Sequence, residues 1–409
     1  MDHETTSDEE VDTGDSSEEL EESPPPRKLS RRWKILTACV VVLIVLAVIA
    51  SFITLPYYAI IPGQAQDVAP LIGVPSRISY SHQGVVELVD VQIAQIRAID
   101  WIYFKLNSQA TIQPSDVILG PETPQQYNTE GVVDMATAQQ AATVVALRQL
   151  GYHVTVKPAG ALLYALQPGS PADQSLAVGD VIVAVDSHAV TSAAQLGPLV
   201  DTKKPGTTVA ISRHSYGSGT VSTTSVRLGV WRLQGKGASA TLDCTPVTEK
   251  TNLPIARLVV TPQGISLPSG SQKGGPVSCI GSLNTEDWFD IGRLPFPIDL
   301  SSEGIVGPSA GLAFTLGLMQ KLDRYDLTGG HKIAATGTMS VSGQVGAIGG
   351  IEQKTFAVQA SGASIFLVPP ANYATAKKYA GSKLKVYAVS NITQALDILA
   401  RYGGRVARR

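Results

Sequence analysis

The sequence has few cysteines and no excess of basic charge, and each shortage excludes a class of protein. Three cysteines in 409 residues are too few for a zinc ribbon or for the disulfide framework of a small secreted scaffold. The 32 basic residues are outnumbered by 34 acidic ones, so the chain lacks the positive field that nucleic-acid binding requires. We therefore expect no nucleic-acid partner, and we also expect no metal and no cofactor.

The chain is rich in apolar residues, and its charged residues are unevenly distributed. Hydrophobic residues make up 44% of it, which is enough for a sizeable core and excludes disorder of the whole chain. A length of 409 residues suggests two or three domains. Residues 1–26 carry eleven acidic and no basic residues, whereas residues 27–34 carry five basic ones. We predict that 1–34 is a disordered acidic tail with a basic flank.

Residues 35–55 form an uncharged, almost wholly apolar run of 21 residues. A helix of about 20 such residues crosses the hydrocarbon of a bilayer. A cleaved signal peptide has a shorter apolar region, and a buried core helix of this length usually has a polar face, so a single uncleaved anchor is the favoured interpretation. The basic flank precedes the run, which places the N-terminus in the cytoplasm and the rest of the chain outside the cell membrane.

Residues 56–150 are predicted to be a membrane-proximal α/β segment that completes a neighbouring domain or folds alone. Its first part, 56–80, is punctuated by Pro and Gly and suggests an irregular exit from the membrane. Residues 84–96 are rich in Val and Ile and predict a strand. Residues 133–150 have apolar residues at helical spacing and end at Gly151, which predicts a helix.

Residues 151–235 alternate short apolar runs with turn signals. The order LLYALQPGSPADQSLAVGDVIVAVDSHAV, which begins at Leu162, resembles a PDZ domain. Such domains bind peptide C-termini by adding the peptide as a strand. The resemblance implies a backbone turn at Gly160 and Ala161 that holds the terminal carboxylate, a pairing strand from Leu162, and a pocket lined by Leu196. The alternative is a β-rich domain whose groove is filled.

Residues 236–282 form a connecting segment rich in Gly, Ser and Pro. It contains Cys244 and Cys279, which an oxidising compartment would allow to pair. Sequence alone supports two unpaired thiols nearly as well as a disulfide, because it does not show how far apart the cysteines lie.

Residues 283–409 alternate predicted strands and helices, which indicates an α/β domain. Strands are predicted at 296–300, 332–336, 364–368 and 385–389, and helices at 309–322, 351–360, 371–379 and 392–402. In the loop Gly307-Pro308-Ser309-Ala310-Gly311, Ser309 lies where a helix begins, beside unpaired backbone N–H groups that can stabilise an oxyanion. Taken alone, Ser309 is more simply explained as a helix cap.

A second loop, from Gly343 to Lys354, leads from a glycine-rich turn into a helix. Lys354 has apolar neighbours at Ile348, Ile351 and Phe356, so desolvation could lower its pKa and make it a general base. Taken alone, a solvated surface lysine is the simpler interpretation.

Taken together, the two loops favour a catalytic role for Ser309 and Lys354 over a helix cap and a surface lysine. GPSAG, then TGTMSVSGQVGAIGGIEQK, then a strand ending in VPP, resemble the proteolytic domain of Lon proteases. With the PDZ region and the anchor, the chain resembles the PDZ-containing Lon-like membrane proteases of bacteria (YlbL-type). The fold class this implies is multidomain α/β: a transmembrane helix, a β-rich PDZ-like domain and a C-terminal α/β Lon-type proteolytic domain.

The resemblance also implies roles for individual residues. Ser309 corresponds to the nucleophile and Lys354 to its base, while Thr336 holds the lysine. From the residues themselves, Gly307 and Pro308 shape a tight turn, and Ala310 and Gly311 keep its surroundings open to a substrate backbone. A Ser–Lys dyad needs no histidine, and His331 is the only histidine after residue 283. Cytoplasmic Lon enzymes have an acidic residue three positions before the serine, where this chain has Val306.

The expected function is a membrane-anchored serine endopeptidase that cleaves unfolded or flexible protein segments. No G-x-x-x-x-G-K-[ST] phosphate loop occurs in the sequence, so we expect cleavage without ATP. The PDZ domain would recruit peptide tails of substrates. The resemblance implies a homo-oligomer, with the hexameric ring of Lon domains as the expected form. The alternative from another class is an inactive membrane scaffold whose PDZ domain binds partner C-termini.

Overall fold

The structure is a computed structural model that describes residues 30–120, 122–216, 218–234, 241–247 and 278–407. It divides into two units, 1–53 and 54–409. The described part of the first unit is helix α1 (Arg31–Phe52), which Ser30 caps through its side chain. This helix is long and apolar enough to cross a membrane, and none of its side chains is buried. It ends three residues before the predicted limit, because a strand begins at Thr54.

Eight further helices occur in the described part of the second unit. They are α2 (Trp101–Leu106), α3 (Ser115–Leu119), α4 (Pro124–Gln149), α5 (Ala193–Asp201), α6 (Gly311–Leu322), α7 (Ile351–Ser361), α8 (Pro370–Tyr379) and α9 (Ile392–Ala400). The longest, α4, begins with a capping box between Thr123 and Gln126, which explains a start nine residues before the predicted one.

The strands follow the same order along the chain. They are β1 (Thr54–Asp67), β2 (Ile72–Gly73), β3 (Val85–Arg97), β4 (Thr111–Pro114), β5 (Val156–Leu166), β6 (Asp180–Val185), β7 (His188–Ala189), β8 (Thr208–Ser215), β9 (Ser222–Arg227), β10 (Gly229–Gln234), β11 (Thr241–Thr245), β12 (Ser278–Cys279), β13 (Ser282–Ile291), β14 (Asp299–Leu300), β15 (Lys332–Ala335), β16 (Thr338–Met339), β17 (Val345–Gly346), β18 (Ile365–Val368) and β19 (Lys385–Ala388).

A six-stranded mixed sheet joins the membrane-proximal residues to the C-terminal residues. Its order is β19-β18-β15-β3-β1-β4. The three C-terminal strands and β3 are parallel neighbours, whereas β1 pairs antiparallel with both β3 and β4. The residues before the PDZ region therefore supply half of the sheet on which the C-terminal helices pack.

The main core lies between this sheet and helices α4 and α6. It contains Leu88 of β3, Leu147 of α4 and Phe314 of α6, each at most 1% exposed. A second cluster covers the opposite face, where Val358 of α7 and Ala376 of α8 pack against Phe366. Helices thus cover both faces of the sheet, which is the arrangement that parallel strands require.

A six-stranded antiparallel sheet builds the PDZ region; its order is β13-β5-β6-β8-β9, and the short β7 also pairs with β6. Its core contains Leu163, Ile182 and Ile211, and helix α5 contributes Leu196 and Val200. Strand β13 follows the predicted connecting segment, so residues from both sides of that segment form one sheet. Most of the acidic tail and of 236–282 lies outside the described residues.

One predicted strand in the C-terminal part is wrong over most of its length. The expected strand at 296–300 is reduced to β14, which pairs with β2. Pro295 and Pro297 have no backbone N–H to donate to a ladder, which explains the shortening.

Candidate active site

The loop that carries Ser309 turns sharply into helix α6. Gly307 has φ +94°, a conformation that favours glycine, and Pro308 starts a 3-10 turn (Pro308–Ala310) that runs into α6. The backbone N–H of Gly307 donates to the carbonyl of Gly131 in α4 at 2.7 Å. The loop is therefore anchored to α4, and it holds the half-buried Ser309 at the first turn of a helix.

Lys354 lies in the first turn of α7, as the glycine-rich segment predicts. The helix starts after Gly350, whose φ of +66° is left-handed. Gly350 also lies so close to Val91 that a Cβ would not fit. The Lys354 backbone N–H donates to the Gly350 carbonyl at 2.9 Å. Its side chain is only 2% exposed, so the surface-lysine interpretation is wrong.

The structure brings the two predicted residues into direct contact. A hydrogen bond of 2.5 Å joins Lys354 Nζ and Ser309 Oγ. Lys354 also donates to Thr336 Oγ1 at 3.3 Å. This is the geometry that a nucleophile and its general base require.

Thr336 connects the lysine to the main chain of the serine. It is fully buried, and its hydroxyl donates to the Ser309 carbonyl at 3.2 Å. The same carbonyl accepts from the N–H of Gly337 at 2.9 Å. The end of β15 therefore fixes both the backbone of Ser309 and the amine of Lys354.

Burial changes the acid–base behaviour of Lys354. Desolvation lowers its pKa from 10.5 to about 8, and the nearby carboxylate of Asp90 opposes that shift. A lysine of this pKa has a substantial neutral fraction near physiological pH, which an ordinary lysine lacks. The environment thus favours proton acceptance from Ser309.

Ser309 and Lys354 lie in a cleft of about 560 Å³. Its walls include Asp90 and Ile93 of β3, Glu130 and Asp134 of α4, and the loop 303–308. Sequence reasoning missed the acidic residues of this wall. The spacing of Glu130 and Asp134, four residues apart on one face of a helix, was the available signal.

Val306 is at the rim of the cleft and is 43% exposed. Its side chain packs against α4 at Gly131. A Cβ placed on that glycine would lie only 3.1 Å from Val306 Cγ2. Val306 therefore makes an apolar contact with α4, beside the loop that carries Ser309.

Ala310 and Gly311 do not face the cleft, contrary to the expectation that they keep it open. Ala310 is 3% exposed, and a Cβ on Gly311 would lie 2.9 Å from the backbone nitrogen of Met339. Small residues are needed here because α6 packs tightly against β16.

The structure does not support a tail-binding edge at Gly160, Ala161 and Leu162. Strand β5 pairs with β13 along one edge and with β6 along the other, so no edge remains for a peptide. Ala161 and Leu162 are also fully buried. Leu196 does line a pocket, of about 130 Å³, but that pocket lies between α5 and residues 279–285.

Cys244 and Cys279 form a disulfide bond, with Cα atoms 5.9 Å apart. They belong to β11 and β12, which pair with opposite edges of β10. The bond fixes the turn that precedes β13. Cys39 of α1 is free.

Comparisons with known proteins agree with both halves of this description. Residues 303–401 match the Lon protease (S16) C-terminal proteolytic domain, and residues 148–226 match the PDZ domain. The chain carries a PDZ domain and a Lon-type proteolytic domain. The Lon-type match includes Ser309, Thr336 and Lys354, and it supports a serine protease. The predicted fold class and resemblance are confirmed.

Curated relatives match over short stretches of the chain. The chain is 38% identical over 66 residues to the Lon protease of Mesomycoplasma hyopneumoniae (strain 232), which covers 16% of this chain and 7% of that protein. It is 33% identical over 90 residues to the Lon protease of Treponema pallidum (strain Nichols), which covers 22% of this chain and 10% of that protein. The matches thus span a tenth or less of those relatives.

A solved structure also matches over a short part of the chain. The crystal structure of the PDZ domain of the SdrC-like protein from Listeria monocytogenes is 26% identical, with a TM-score of 0.17. The match covers 20% of this chain and 86% of that one.

Proposed function

We propose that the chain is an ATP-independent serine endopeptidase that uses a Ser309–Lys354 dyad. The observation that carries this is the 2.5 Å contact between Ser309 Oγ and Lys354 Nζ, with the lysine almost fully buried. The Lon-type match over residues 303–401 supports the reaction class. The sequence contains no phosphate loop, which supports cleavage without nucleotide.

In this mechanism neutral Lys354 accepts the hydroxyl proton as Ser309 attacks the peptide carbonyl. Backbone N–H groups in the first turn at Ser309 have no partners within the helix and stabilise the oxyanion. The Lys354 ammonium then donates its proton to the leaving amine, and an acyl-enzyme remains. Lys354 next accepts a proton from water, which attacks the ester carbonyl; as the bond to Ser309 Oγ breaks, the Lys354 ammonium returns the proton to that oxygen and the carboxylic acid product leaves.

The decisive experiment measures cleavage of unfolded casein by the full chain in detergent, without nucleotide. Ser309→Ala and Lys354→Ala should each abolish cleavage, since either change removes one half of the dyad. Ser382→Ala and Lys383→Ala, two exposed neighbours outside the cleft, are the matched controls and should retain it. Cleavage that survives Ser309→Ala would contradict the dyad, and an intact but inactive chain that binds tails would favour the scaffold.

We further propose that α1 anchors the protein and that residues from Thr54 onward face away from the cytoplasm. The five basic residues at 27–34 and the apolar helix that follows support this orientation. The disulfide supports an oxidising compartment. An impermeant protease added to intact cells should degrade the second unit, and protection of that unit would contradict the orientation.

Substrate tails are proposed to bind beside β13 rather than β5. Strand β13 is one of the edge strands of its described sheet, and helix α5 lies next to it. The turn before β13 contains Gly281, whose φ is +92°. The backbone carbonyls of Ile280 and Gly281 already accept hydrogen bonds from the N–H groups of Ala172 and Gln167, respectively. An added strand could pair with β13 and place its last side chain in the pocket beside Leu196.

A ring of identical chains is the proposed assembly, by analogy with Lon-type domains. The molar mass of the detergent-solubilised chain tests it. A monodisperse monomer with full peptidase activity would contradict a required ring.

A further inference from the structure

The cleft that contains the dyad is lined by charges of one sign. Among the described residues that line it, Asp90, Glu130, Asp134 and Glu303 are acidic, and Lys354 is the one basic residue. The proposed mechanism needs Lys354 to be neutral. When the base is ready to act, these walls therefore present only negative charge.

Two of these carboxylates are withdrawn from water without a cation. The pKa of both Glu130 and Asp134 is raised to about 7. Burial is the larger cause, and repulsion from neighbouring acids is the smaller one. No ion pair within the described ranges involves either residue. Beside them, Glu122 has a buried carboxyl oxygen that lacks a hydrogen-bond partner among the residues the structure describes. Glu130 and Asp134 are half-buried, and Glu130 shares a hydrogen bond with Glu122, but neither has a cationic partner among the described residues, so the acids attract a cation that enters the cleft.

The cation that fits is organic. Across the described chain no group of three or more His, Cys, Asp or Glu side chains is placed to hold a metal ion. The acids are spread along the wall of a cleft that also holds the nucleophile, which is where a substrate side chain would lie.

One of the acids, Asp90, also works against the base as long as the cleft is empty. The carboxylate of Asp90 favours the ammonium form of Lys354. A positive substrate side chain would offset that field and favour the neutral amine. Binding of a cation would thus assist the dyad, whereas the Asp90 carboxylate alone opposes it.

We propose that this cleft selects protein segments with a lysine or arginine close to the scissile bond, held by Glu130 and Asp134. The proposal rests on the proposed endopeptidase function and names its substrate class. A cleft that made only apolar contacts would accept norleucine as well as lysine, so a comparison of these two side chains separates charge selection from apolar binding.

Binding is measured first, with the full-length Ser309→Ala chain, so that the test does not depend on turnover. The probes are fluorescent peptides in which one lysine moves through the three positions on each side of the scissile bond, each matched by a norleucine peptide. At one position or more, lysine should bind about tenfold more tightly, the effect expected of one desolvated ion pair. Asp134→Asn with Glu130→Gln should remove most of that ratio and leave norleucine binding within about twofold. Asp397→Asn, an exposed change on α9, is the matched control and should preserve it.

Cleavage by the wild-type chain gives the second readout. The ratio of kcat/KM for lysine and norleucine peptides should follow the binding ratio. Equal binding and equal cleavage of the two peptides would overturn the inference and leave the endopeptidase intact. Selective binding of lysine with no cleavage of any peptide would support the selection and reject the endopeptidase.

Discussion

Lys354 lies 45 residues after Ser309 in the chain, yet its amine is 2.5 Å from the serine hydroxyl and 3.3 Å from that of Thr336. Helix α6 follows the serine directly, α7 carries the lysine, and β15 leads to the threonine between them. Helices α6 and α7 and strand β15 thus meet at the hydrogen bond between Ser309 and Lys354. The consequences of this convergence can be measured.

The rate should rise with pH and level off above about 8. In the proposed mechanism only neutral Lys354 accepts the serine proton, and burial lowers the pKa of Lys354 from 10.5 to about 8. Asp90 raises that pKa, so Asp90→Asn should move the rising limb to lower pH, by up to about one unit. The measurement is kcat/KM for a small peptide between pH 6 and 10. A limb that stays in place, or moves to higher pH, would mean that Asp90 does not act on the base.

Thr336→Val should lower kcat by about ten- to a hundredfold with little change in KM, because it removes the hydroxyl that joins Lys354 to the Ser309 carbonyl. Valine keeps the shape of the buried side chain. Thr336→Ser restores the hydroxyl and should recover most of the rate. A merely structural role would instead appear as a lower melting temperature in the valine variant, with kcat unchanged in the folded fraction.

Much of the contact between Ser309 and Lys354 could be predicted from sequence, because each residue lies in a loop whose shape is set locally. Glycine and proline fix the turns at 307–311 and 343–350, and each turn leads directly into a helix. The helices from α6 to α9 also begin and end within a few residues of their predicted limits. The apolar neighbours of Lys354 alone left a solvated lysine as the simpler interpretation, and only the two loops together favoured a buried base; the 2% exposure agrees with burial.

Long-range pairing explains what sequence reasoning missed. Pro62 and Gly63 suggested an irregular exit from the membrane, whereas β1 is a strand of 14 residues. Its ladder with β3 shifts register between Pro62 and Ala65, so the proline is accommodated at an irregularity. The unpredicted strand β13 likewise occupies the edge of β5, which is why the tail groove was placed on the wrong strand.

Gly311→Ala should destabilise the protein by about 1–3 kcal/mol and lower activity, since the new methyl group would lie 2.8 Å from Met339 Cβ and 2.9 Å from its backbone nitrogen. The serine loop would have to move with α6. Gly349→Ala is the matched control, because a methyl group there would have no described atom within 4 Å apart from its chain neighbours. Thermal unfolding and peptide cleavage are the measurements. Equal behaviour of the two variants would show that α6 does not need this close approach.

Gly197→Leu should block tail binding at the pocket between α5 and β13. The pocket is only about 130 Å³, and Gly197 lines it. Leucine is also a better helix former than glycine, so the fold should not suffer. Binding of a C-terminal peptide should weaken by at least about tenfold, while cleavage of an untailed peptide stays unchanged. Ala194→Leu, elsewhere on α5, is the control. Loss of binding in the control, or its persistence in Gly197→Leu, would place the groove elsewhere.

Tail binding should weaken as pH rises through 7. Asp201 lines the same pocket, and burial raises its pKa to about 7. Below that pH the side chain is mostly protonated and tolerates the terminal carboxylate of a bound tail. Above it, the Asp201 carboxylate and the terminal carboxylate of a tail whose last side chain occupies this pocket are both charged and repel each other. Asp201→Asn should therefore bind a C-terminal peptide with similar affinity at pH 6 and pH 8, and an amidated peptide should show little pH dependence even with the wild-type chain. If the wild-type affinity is the same at both pH values, the carboxylate of the tail does not lie near Asp201.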